Sequence, residues 1–191
     1  MLQVLGPSTG GIRQVVAALT SELEARDWEV VTIGPPGVLD GLVHQDAVLG
    51  WRELRRRARE VDVVHAHGLT VAWRAIGLRP LVTTVHNVVL GHNPVLRAAE
   101  RRAPGDRLIA TSSEVARRFR GRDVVVIPPA GAAPMPTRSA AEVRDAYGVA
   151  PGERLLVTVA RLHPQKDLPT LFRAVEQLDG CLLYTSDAAD E

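Results

Sequence analysis

The sequence has little cysteine and no long apolar run. Its single cysteine, Cys181, excludes an intrachain disulfide framework and favours a reducing compartment. No uncharged apolar stretch of about 18 residues is present, so no segment is predicted to span a bilayer. The chain opens almost directly with the strand-like run Leu2–Leu5, so no signal peptide is expected. We therefore expect a cytoplasmic protein.

The chain also has little net charge and only one lysine, Lys166. The formal net charge of +1 provides no general attraction for nucleic acid, so no nucleic-acid partner is expected. The arginines are clustered, and solvated helix faces are the ordinary explanation for such runs. The alternative is a peripheral contact with an anionic membrane, where each cation contributes about 1 kcal/mol. The clusters are Arg52, Arg55, Arg56, Arg57 and Arg59; Arg97, Arg101 and Arg102; and Arg117, Arg118, Arg120 and Arg122.

Apolar, β-branched runs alternate with segments of helical spacing along the first two thirds of the chain. Strands that are apolar throughout, rather than alternating, are typical of parallel sheets covered by helices on both faces. The pattern therefore predicts an α/β fold, with one complete doubly wound, Rossmann-like domain. The six predicted strands are Leu2–Leu5, Glu29–Ile33, Val61–His65, Leu81–Val85, Arg107–Ala110 and Val124–Ile127.

Helices are predicted between these strands. Residues Ile12, Val15, Val16, Leu19 and Leu23 follow helical spacing and form one apolar stripe. The segment 51–58 shows the same spacing more weakly. The pair at 93 and 94, Asn followed by Pro, favours an N-cap and first turn for a helix through residue 102. A further helix is predicted to be capped by the serine at 113 and to bury apolar residues at 115, 116 and 119.

The composition changes after residue 127. The segment 128–136 is rich in proline and alanine and is predicted to be a linker. Ser139 and Glu142 then form a capping box for a short helix, which Gly148 ends. A strand pattern restarts at 154–160, and a helix with apolar residues at 168, 171, 172, 175 and 178 follows. We therefore predict an N-terminal domain over 1–130, a linker and short helix over 131–153, and the first β-α unit of a second Rossmann-like domain over 154–180.

The last eleven residues, 181–191, differ in character from the rest. A second-domain strand is expected after Gly180, yet the sequence runs from Cys181 into an acidic stretch ending at Glu191. This ending is similar to translated sequencing-adapter read-through. We interpret 181–191 as a non-native tail on a C-terminally truncated chain, and a genuine acidic tail is the alternative.

A glycine-rich turn follows the first strand. Gly6 and Gly11 bracket it, but Ser8 stands where a dinucleotide fingerprint needs glycine, and the second strand ends without an acidic residue. A P-loop is also excluded, because Ile12 and Arg13 follow Gly11 instead of Lys and Ser or Thr. What remains is a glycine pair, Gly10 and Gly11, at a helix start, whose N–H groups can face an anion or a sugar hydroxyl. The alternative is a simple tight turn.

Three histidines stand at the carboxyl ends of predicted strands. His65 and His67 follow one strand and alternate onto one side of it, while His86 and Asn87 end the next. Ligands bind outside the carboxyl ends of strands in open parallel sheets, so these residues are candidates for ligand contact. A metal site is not predicted, because no acidic residue of matching spacing and no cysteine joins the two histidines.

Two cations flank the start of the last predicted helix. Arg161 follows an apolar strand, and Lys166 stands five residues later, where the helix begins. A guanidinium fork, an ammonium group and a helix N-terminus together suit a diphosphate. Each charge-assisted contact contributes about 1.5–3 kcal/mol. Arg161 and Lys166 are therefore the strongest candidates for phosphate binding.

The motifs, taken in their order along the chain, resemble those of GT-B glycosyltransferases of family 4 over residues 1 to about 180. The most specific is the Arg-x4-Lys motif with its following leucine-rich helix. Two positions depart from the family pattern: Asp167, where glycine is more usual, and Ala130, where asparagine is common. The matching segments are Gly10–Gly11, Asp62–Gly68, Thr83–His86, Ala110–Ser112, Val124–Gly131 and Ala160–Leu171.

The resemblance implies a retaining, metal-independent transfer of sugar from a nucleotide-sugar to an acceptor, with no cofactor. It implies an N-terminal acceptor domain and a C-terminal nucleotide domain. Gly10 and Gly11 would lie near the donor diphosphate, His86 would act as the catalytic residue beside the reacting sugar, and Arg161 and Lys166 would neutralise the departing diphosphate. His65, His67 and Asn87 are candidates for acceptor or sugar contact. The acceptor would be a carbohydrate, a lipid-linked molecule or a small molecule.

Other functions are compatible with the residues. The family's pair of glutamates that grips the donor would lie beyond residue 180, so the 191-residue chain is itself expected to be inactive. The first alternative is a non-catalytic α/β binding module. The second is a GT-B epimerase that acts on a nucleotide-sugar without a separate acceptor.

Overall fold

The computed structural model describes residues 1–7, 10–35, 45–47, 50–78, 80–88, 93–129, 135–160, 162 and 164–178. By its contacts the chain divides into two units, Met1–Ala132 and Ala133–Glu191. The predicted tail at 181–191 and Arg161 lie outside the described residues, as does most of the linker prediction at 128–136.

The first unit is built on a parallel sheet of seven strands. Its strands are β1 Leu2–Leu5, β2 Val31–Gly34, β3 Gln45–Ala47, β4 Val64–His67, β5 Leu81–Val85, β6 Arg107–Ala110 and β7 Val124–Val126. They are ordered β3-β2-β1-β4-β5-β6-β7, and every paired neighbour is parallel. The chain winds outward from β1 in one direction and from β4 in the other. The predicted doubly wound α/β fold is confirmed.

Helices connect the strands. Between β1 and β7 they are α1 Gly11–Glu24, α2 Trp51–Ala58, α3 Leu69–Arg74, α4 Pro94–Arg101 and α5 Ser113–Arg117. Strands β1 and β4 are buried along their whole length, as expected for central strands covered on both faces. The main core cluster joins these strands to the connecting helices. Its buried members are Leu2, Val4, Ile33, Leu54, Val64, Ala66, Val71, Ala72, Ala75, Leu78 and Leu81.

Several sequence expectations for this unit are corrected. The second strand spans Val31–Gly34 rather than Glu29–Ile33. The short strand β3 lies between the second and third predicted strands, so the described residues form a sheet of seven strands and not six. The cap of α5 is Ser112, whose hydroxyl accepts a hydrogen bond from the Val115 amide, and not Ser113. Strand β4 spans Val64–His67 rather than 61–65. Its ladder with β5 starts at Val64, whose amide donates to the Pro80 carbonyl, because a proline has no N–H to extend the ladder further back.

The second unit contains two helices, α6 Ala140–Ala146 and α7 Leu168–Val175, and a 3-10 turn over Pro164–Lys166. The capping box of Ser139 and Glu142 on α6 is confirmed. The strand expected at 154–160 is not formed. A strand needs a neighbour for its ladder, and no described residue supplies one here. Val157 and Val159 accordingly remain 73% and 95% exposed.

Candidate active site

The carboxyl ends of β1, β4 and β5 form one edge at the centre of the sheet. Leu5 pairs with His67, and His67 pairs with Thr84, so these strand ends are level. The winding direction of the chain changes between β1 and β4, and such switch points are where open α/β sheets bind ligands. His86 directly follows β5 at this edge. The predicted strand-end placement is therefore found for His67 and His86, whereas His65 is the second residue of β4.

The glycine turn after β1 opens helix α1 at the same edge. Gly10 is the N-cap of α1 and, as a glycine, has no side chain to cap this helix N-terminus. Packing favours glycine at position 6, because a Cβ there would lie 3.0 Å from Val71 Cγ2 of α3. A Cβ on Gly11, in contrast, would meet no atom within 4 Å, so packing does not explain that glycine. Ser8, between them, lies outside the described residues.

The three histidine rings lie against one another. The ring centroids of His65 and His67 are 4.1 Å apart, and those of His67 and His86 are 5.5 Å apart. His65 and His67 are buried, whereas His86 is half-buried and Asn87 is exposed. His86 is thus the histidine of the three with the most open surface, and the other two are held within the protein.

A series of hydrogen bonds links the histidines to other buried polar side chains. His67 Nδ1 lies 3.3 Å from His86 Nε2, and His67 Nε2 lies 3.0 Å from Gln3 Oε1. Gln3 Nε2 donates to Thr20 Oγ1 at 2.6 Å, and Thr20 Oγ1 donates to the Val16 carbonyl at 2.9 Å. We call Thr20, Gln3, His67 and His86 the polar chain. His65 stands beside it, with its Nε2 2.7 Å from Thr84 Oγ1.

All three histidines are neutral at neutral pH. Burial lowers the pKa of His65 from 6.5 to about 4, and repulsion from the charged form of His86 adds to the effect. Burial also lowers the pKa of His86 to about 4. His67 is the most buried of the three, and burial followed by the neighbouring histidines holds its pKa well below the usual value. The cluster therefore offers hydrogen bonds, not positive charge, to a ligand.

The backbone around His86 is held from the next strand. Thr111 follows β6, and its Oγ1 lies 3.4 Å from the carbonyl oxygens of Val85 and His86. On the other side, the amide of Gly68 donates to the Thr84 carbonyl. Gly68 adopts a φ of +100°, a conformation that favours glycine, and it turns the chain from β4 into α3. Residues on both flanks of β5 thus fix the point from which His86 projects.

Sequence reasoning missed Gln3 and Thr20 in this site. Gln3 is a polar residue within an apolar strand, and its side chain is fully buried. A buried amide needs hydrogen-bond partners, so Gln3 was a detectable signal for a polar network. Thr20 gave no such signal, because its spacing from Val16 places it on the apolar stripe of α1, where a threonine is easily accommodated.

No group of His, Cys, Asp or Glu that could hold a metal ion occurs among the described residues. Likewise, no helix in the described part of the chain is long and apolar enough to cross a membrane.

The second unit carries the other predicted phosphate ligands. Lys166 ends the 3-10 turn, and its side chain is exposed next to the start of α7. Arg161 lies outside the described residues. Asp167, the residue that departs from the family pattern, is the N-cap of α7 and has a φ of +46°. This left-handed conformation is the one that glycine adopts most easily, which accounts for the glycine that is more usual at the position.

The arginine clusters serve different purposes. On α2, Arg56 and Arg57 pair with Glu53, so this cluster is a salt-bridged helix face. Arg118 pairs with the buried carboxylate of Glu100 at 2.7 Å. The remaining arginines near it surround a cavity of about 330 Å³ between α4 and α5. This cavity is lined by Arg97, Arg101, Arg117, Arg118, Phe119 and Arg120.

Comparison with known proteins identifies the family to which the chain belongs. The family model described as Glycosyltransferase Family 4 matches residues 9–130, which is more than half of the chain. The chain therefore belongs to glycosyltransferase family 4. No curated protein matches it. Among solved structures it is similar to a sucrose-phosphate synthase from Thermosynechococcus elongatus, with 14% identity and a TM-score of 0.47, over 69% of this chain and 90% of that chain. A likeness at this level says nothing about donor or acceptor.

Proposed function

We propose that this glycosyltransferase is a retaining enzyme that moves a sugar from a nucleotide-sugar to a carbohydrate, lipid-linked or small-molecule acceptor, without a metal or other cofactor. The observation that supports this most is the neutral histidine cluster at the switch point of the sheet, beside the glycine turn that opens α1. A sugar presents many hydroxyl groups, and neutral imidazoles suit hydroxyl groups better than phosphates.

The charge of the donor must be balanced elsewhere. Because burial keeps His86 neutral, it does not offset the diphosphate. The N-terminus of α1 at Gly10 and Gly11 supplies partial positive charge, and Lys166 and Arg161 supply full charges. Stabilising the charge that develops on a leaving diphosphate is the step they would promote, and loss of one such contact costs about 10²–10³ in rate.

Within this scheme His86 contacts the reacting sugar, and Asn87 lies next to it with an exposed side chain. His65 and His67 are buried behind His86 and so act on the ligand indirectly. The N-terminal unit would receive the acceptor, and the second unit would hold the nucleotide.

Binding can be mapped on the chain by NMR with UDP- and GDP-sugars at millimolar concentration. Amide and ring signals of Gly10, Gly11 and His86 are expected to shift, and a free sugar should shift only the histidine. The His86→Ala variant should lose the signal shifts that depend on the sugar. Arg56→Ala on α2 is the surface control and should keep them. Shifts confined to residues away from this edge would contradict the proposal.

Stereochemistry tests the retaining assignment. Turnover is expected from a polypeptide that also carries the donor-gripping glutamates implied by the family resemblance. Its product should keep the anomeric configuration of the donor and should form at an unchanged rate in the presence of a chelator. An inverted product would refute the retaining assignment, and loss of activity on chelation would refute metal independence.

We also propose a cytoplasmic location with a peripheral contact to an anionic membrane surface. The α4–α5 cavity is lined mainly by arginines, and the nearby Val95 and Leu96 at the start of α4 are exposed. Cations beside exposed apolar side chains are the combination that anionic lipid surfaces attract. Flotation with liposomes should depend on anionic lipid and should weaken in Arg101→Glu but not in Arg56→Glu. Binding that ignores lipid charge would contradict this contact.

A further inference from the structure

The direction of the hydrogen bonds in the polar chain follows from its buried end. A threonine hydroxyl has one hydrogen to donate, and that of Thr20 goes to the Val16 carbonyl one helical turn back. Thr20 Oγ1 must then accept from its other partner, Gln3. This fixes the Gln3 amide with its nitrogen toward Thr20 and its oxygen toward His67.

The same logic passes the direction on to the histidines. Gln3 Oε1 can only accept, so His67 must carry its hydrogen on Nε2. A neutral imidazole has one hydrogen, and His67 Nδ1 is therefore an acceptor. The neighbouring nitrogen, His86 Nε2, must then donate to it across 3.3 Å. Consequently His86 Nδ1 is left as the unprotonated, accepting nitrogen.

The opposite direction is less favourable. It would require Thr20 to donate to a flipped Gln3 amide and so to give up its bond to the Val16 carbonyl. The reversed chain therefore has one hydrogen bond fewer, because the Val16 carbonyl would keep only its backbone partner within α1. Since each of these side chains is buried except His86, water does not replace the lost bond readily.

We propose that Gln3 and His67 are positioning residues that hold His86 with its hydrogen on Nε2, so that Nδ1 accepts a hydrogen bond from a hydroxyl group of the substrate. The role toward substrate rests on the proposed function, whereas the tautomer does not. His67 does not reach the ligand itself, because it is only 2% exposed. Its contribution is to present an accepting Nδ1 to His86.

The tautomers can be read directly from ring-nitrogen shifts of ¹⁵N-labelled histidines in the full chain at neutral pH. In the wild type, His67 and His86 should both show a protonated Nε2 and a pyridine-type Nδ1. A proton on Nδ1 of His67 would reverse the polar chain and overturn the proposal.

Variants test whether the buried end sets the tautomer. Thr20→Val removes the hydroxyl with little change in shape, and it should move the His86 shifts from limiting toward averaged values. Gln3→Leu should do so more strongly, while Gln3→Glu keeps an acceptor toward His67 and should restore the limiting shifts. Thr32→Val is the matched control, since Thr32 is a buried strand threonine whose hydroxyl has no partner among the described residues. Unchanged His86 shifts in Thr20→Val and Gln3→Leu would refute the positioning role.

Adding a nucleotide-sugar separates this proposal from the proposed function. Hydrogen bonding from a sugar hydroxyl should move the Nδ1 signal of His86, and inorganic pyrophosphate should leave it in place. If the tautomer is as expected but the sugar has no effect, the proposed function fails and the positioning role stands. If binding of pyrophosphate instead causes Nδ1 to take up a proton from solvent, the accepting role of His86 is wrong.

Discussion

Acid should destabilise this protein through its buried histidines. The folded-state pKa of His65 is about 4, against an ordinary value of 6.5, chiefly because burial disfavours the charged ring. The unfolded chain therefore takes up a proton at a pH where the folded protein does not. This contribution to stability is complete above about pH 6.5 and is lost progressively as the pH falls toward 4.

The size of the effect follows from the two pKa values. Between pH 7 and pH 5, His65 alone lowers the free energy of unfolding by about 2 kcal/mol, and the full loss approaches about 3 kcal/mol near pH 4. His67 and His86, whose pKa values are also lowered by burial, act in the same direction. The loss in the wild-type protein should thus exceed the contribution of His65.

Urea denaturation followed by circular dichroism at the two pH values measures this loss. The matched variant is His65→Gln, because the glutamine amide can still donate to Thr84 but does not titrate in this range. It should lose about 2 kcal/mol less than the wild type over the same interval. An identical pH dependence in both proteins would show that the carboxylates, and not His65, govern the acid response.

Three further changes test the packing. Thr32→Val removes a buried hydroxyl that has no partner in the part of the chain that the structure describes, and it should raise the free energy of unfolding by about 1 kcal/mol in urea denaturation. A decrease would mean that the hydroxyl is hydrogen-bonded. Glu100→Ala removes the buried partner of Arg118 and should cost about 3 kcal/mol, whereas Arg56→Ala on the exposed α2 face should leave the melting temperature nearly unchanged; equal effects would contradict the role of burial. Asp167→Gly removes the side chain from a left-handed residue, so it should stabilise α7 and slow amide hydrogen exchange there. Asp167→Val should lower the local stability of α7 by about 1 kcal/mol and accelerate the exchange. The reverse order would refute backbone strain at Asp167.

Local patterns in the sequence predicted the elements well where the cause is local. The helix stripe from Ile12 and the capping box of Ser139 and Glu142 each depend on residues within a few positions of one another. Continuous apolar runs indicated parallel strands because a strand covered on both faces has no polar side. The same reasoning predicted that His86 lies at the edge formed by the carboxyl ends of the strands, because parallel strands all end at one side of the sheet.

Sequence predictions were wrong where a feature depends on a neighbouring strand. The run at 154–160 has a strand-like composition, but composition supplies no ladder partner. The start of β4 is set by Pro80 in front of β5, and this residue lies 16 positions further along the chain than Val64.

The sequence by itself determined the class of fold, the order of the strands' apolar runs and the chemistry available at their carboxyl ends. Only the tertiary structure decided which of those groups meet. Gln3 reaches His67 across 64 positions and Thr20 across 17, and these contacts depend on the register of β1 with β4 and on how α1 lies against the sheet. Periodicity encodes which face of an element is buried, but it does not encode which buried polar atoms will be opposite one another.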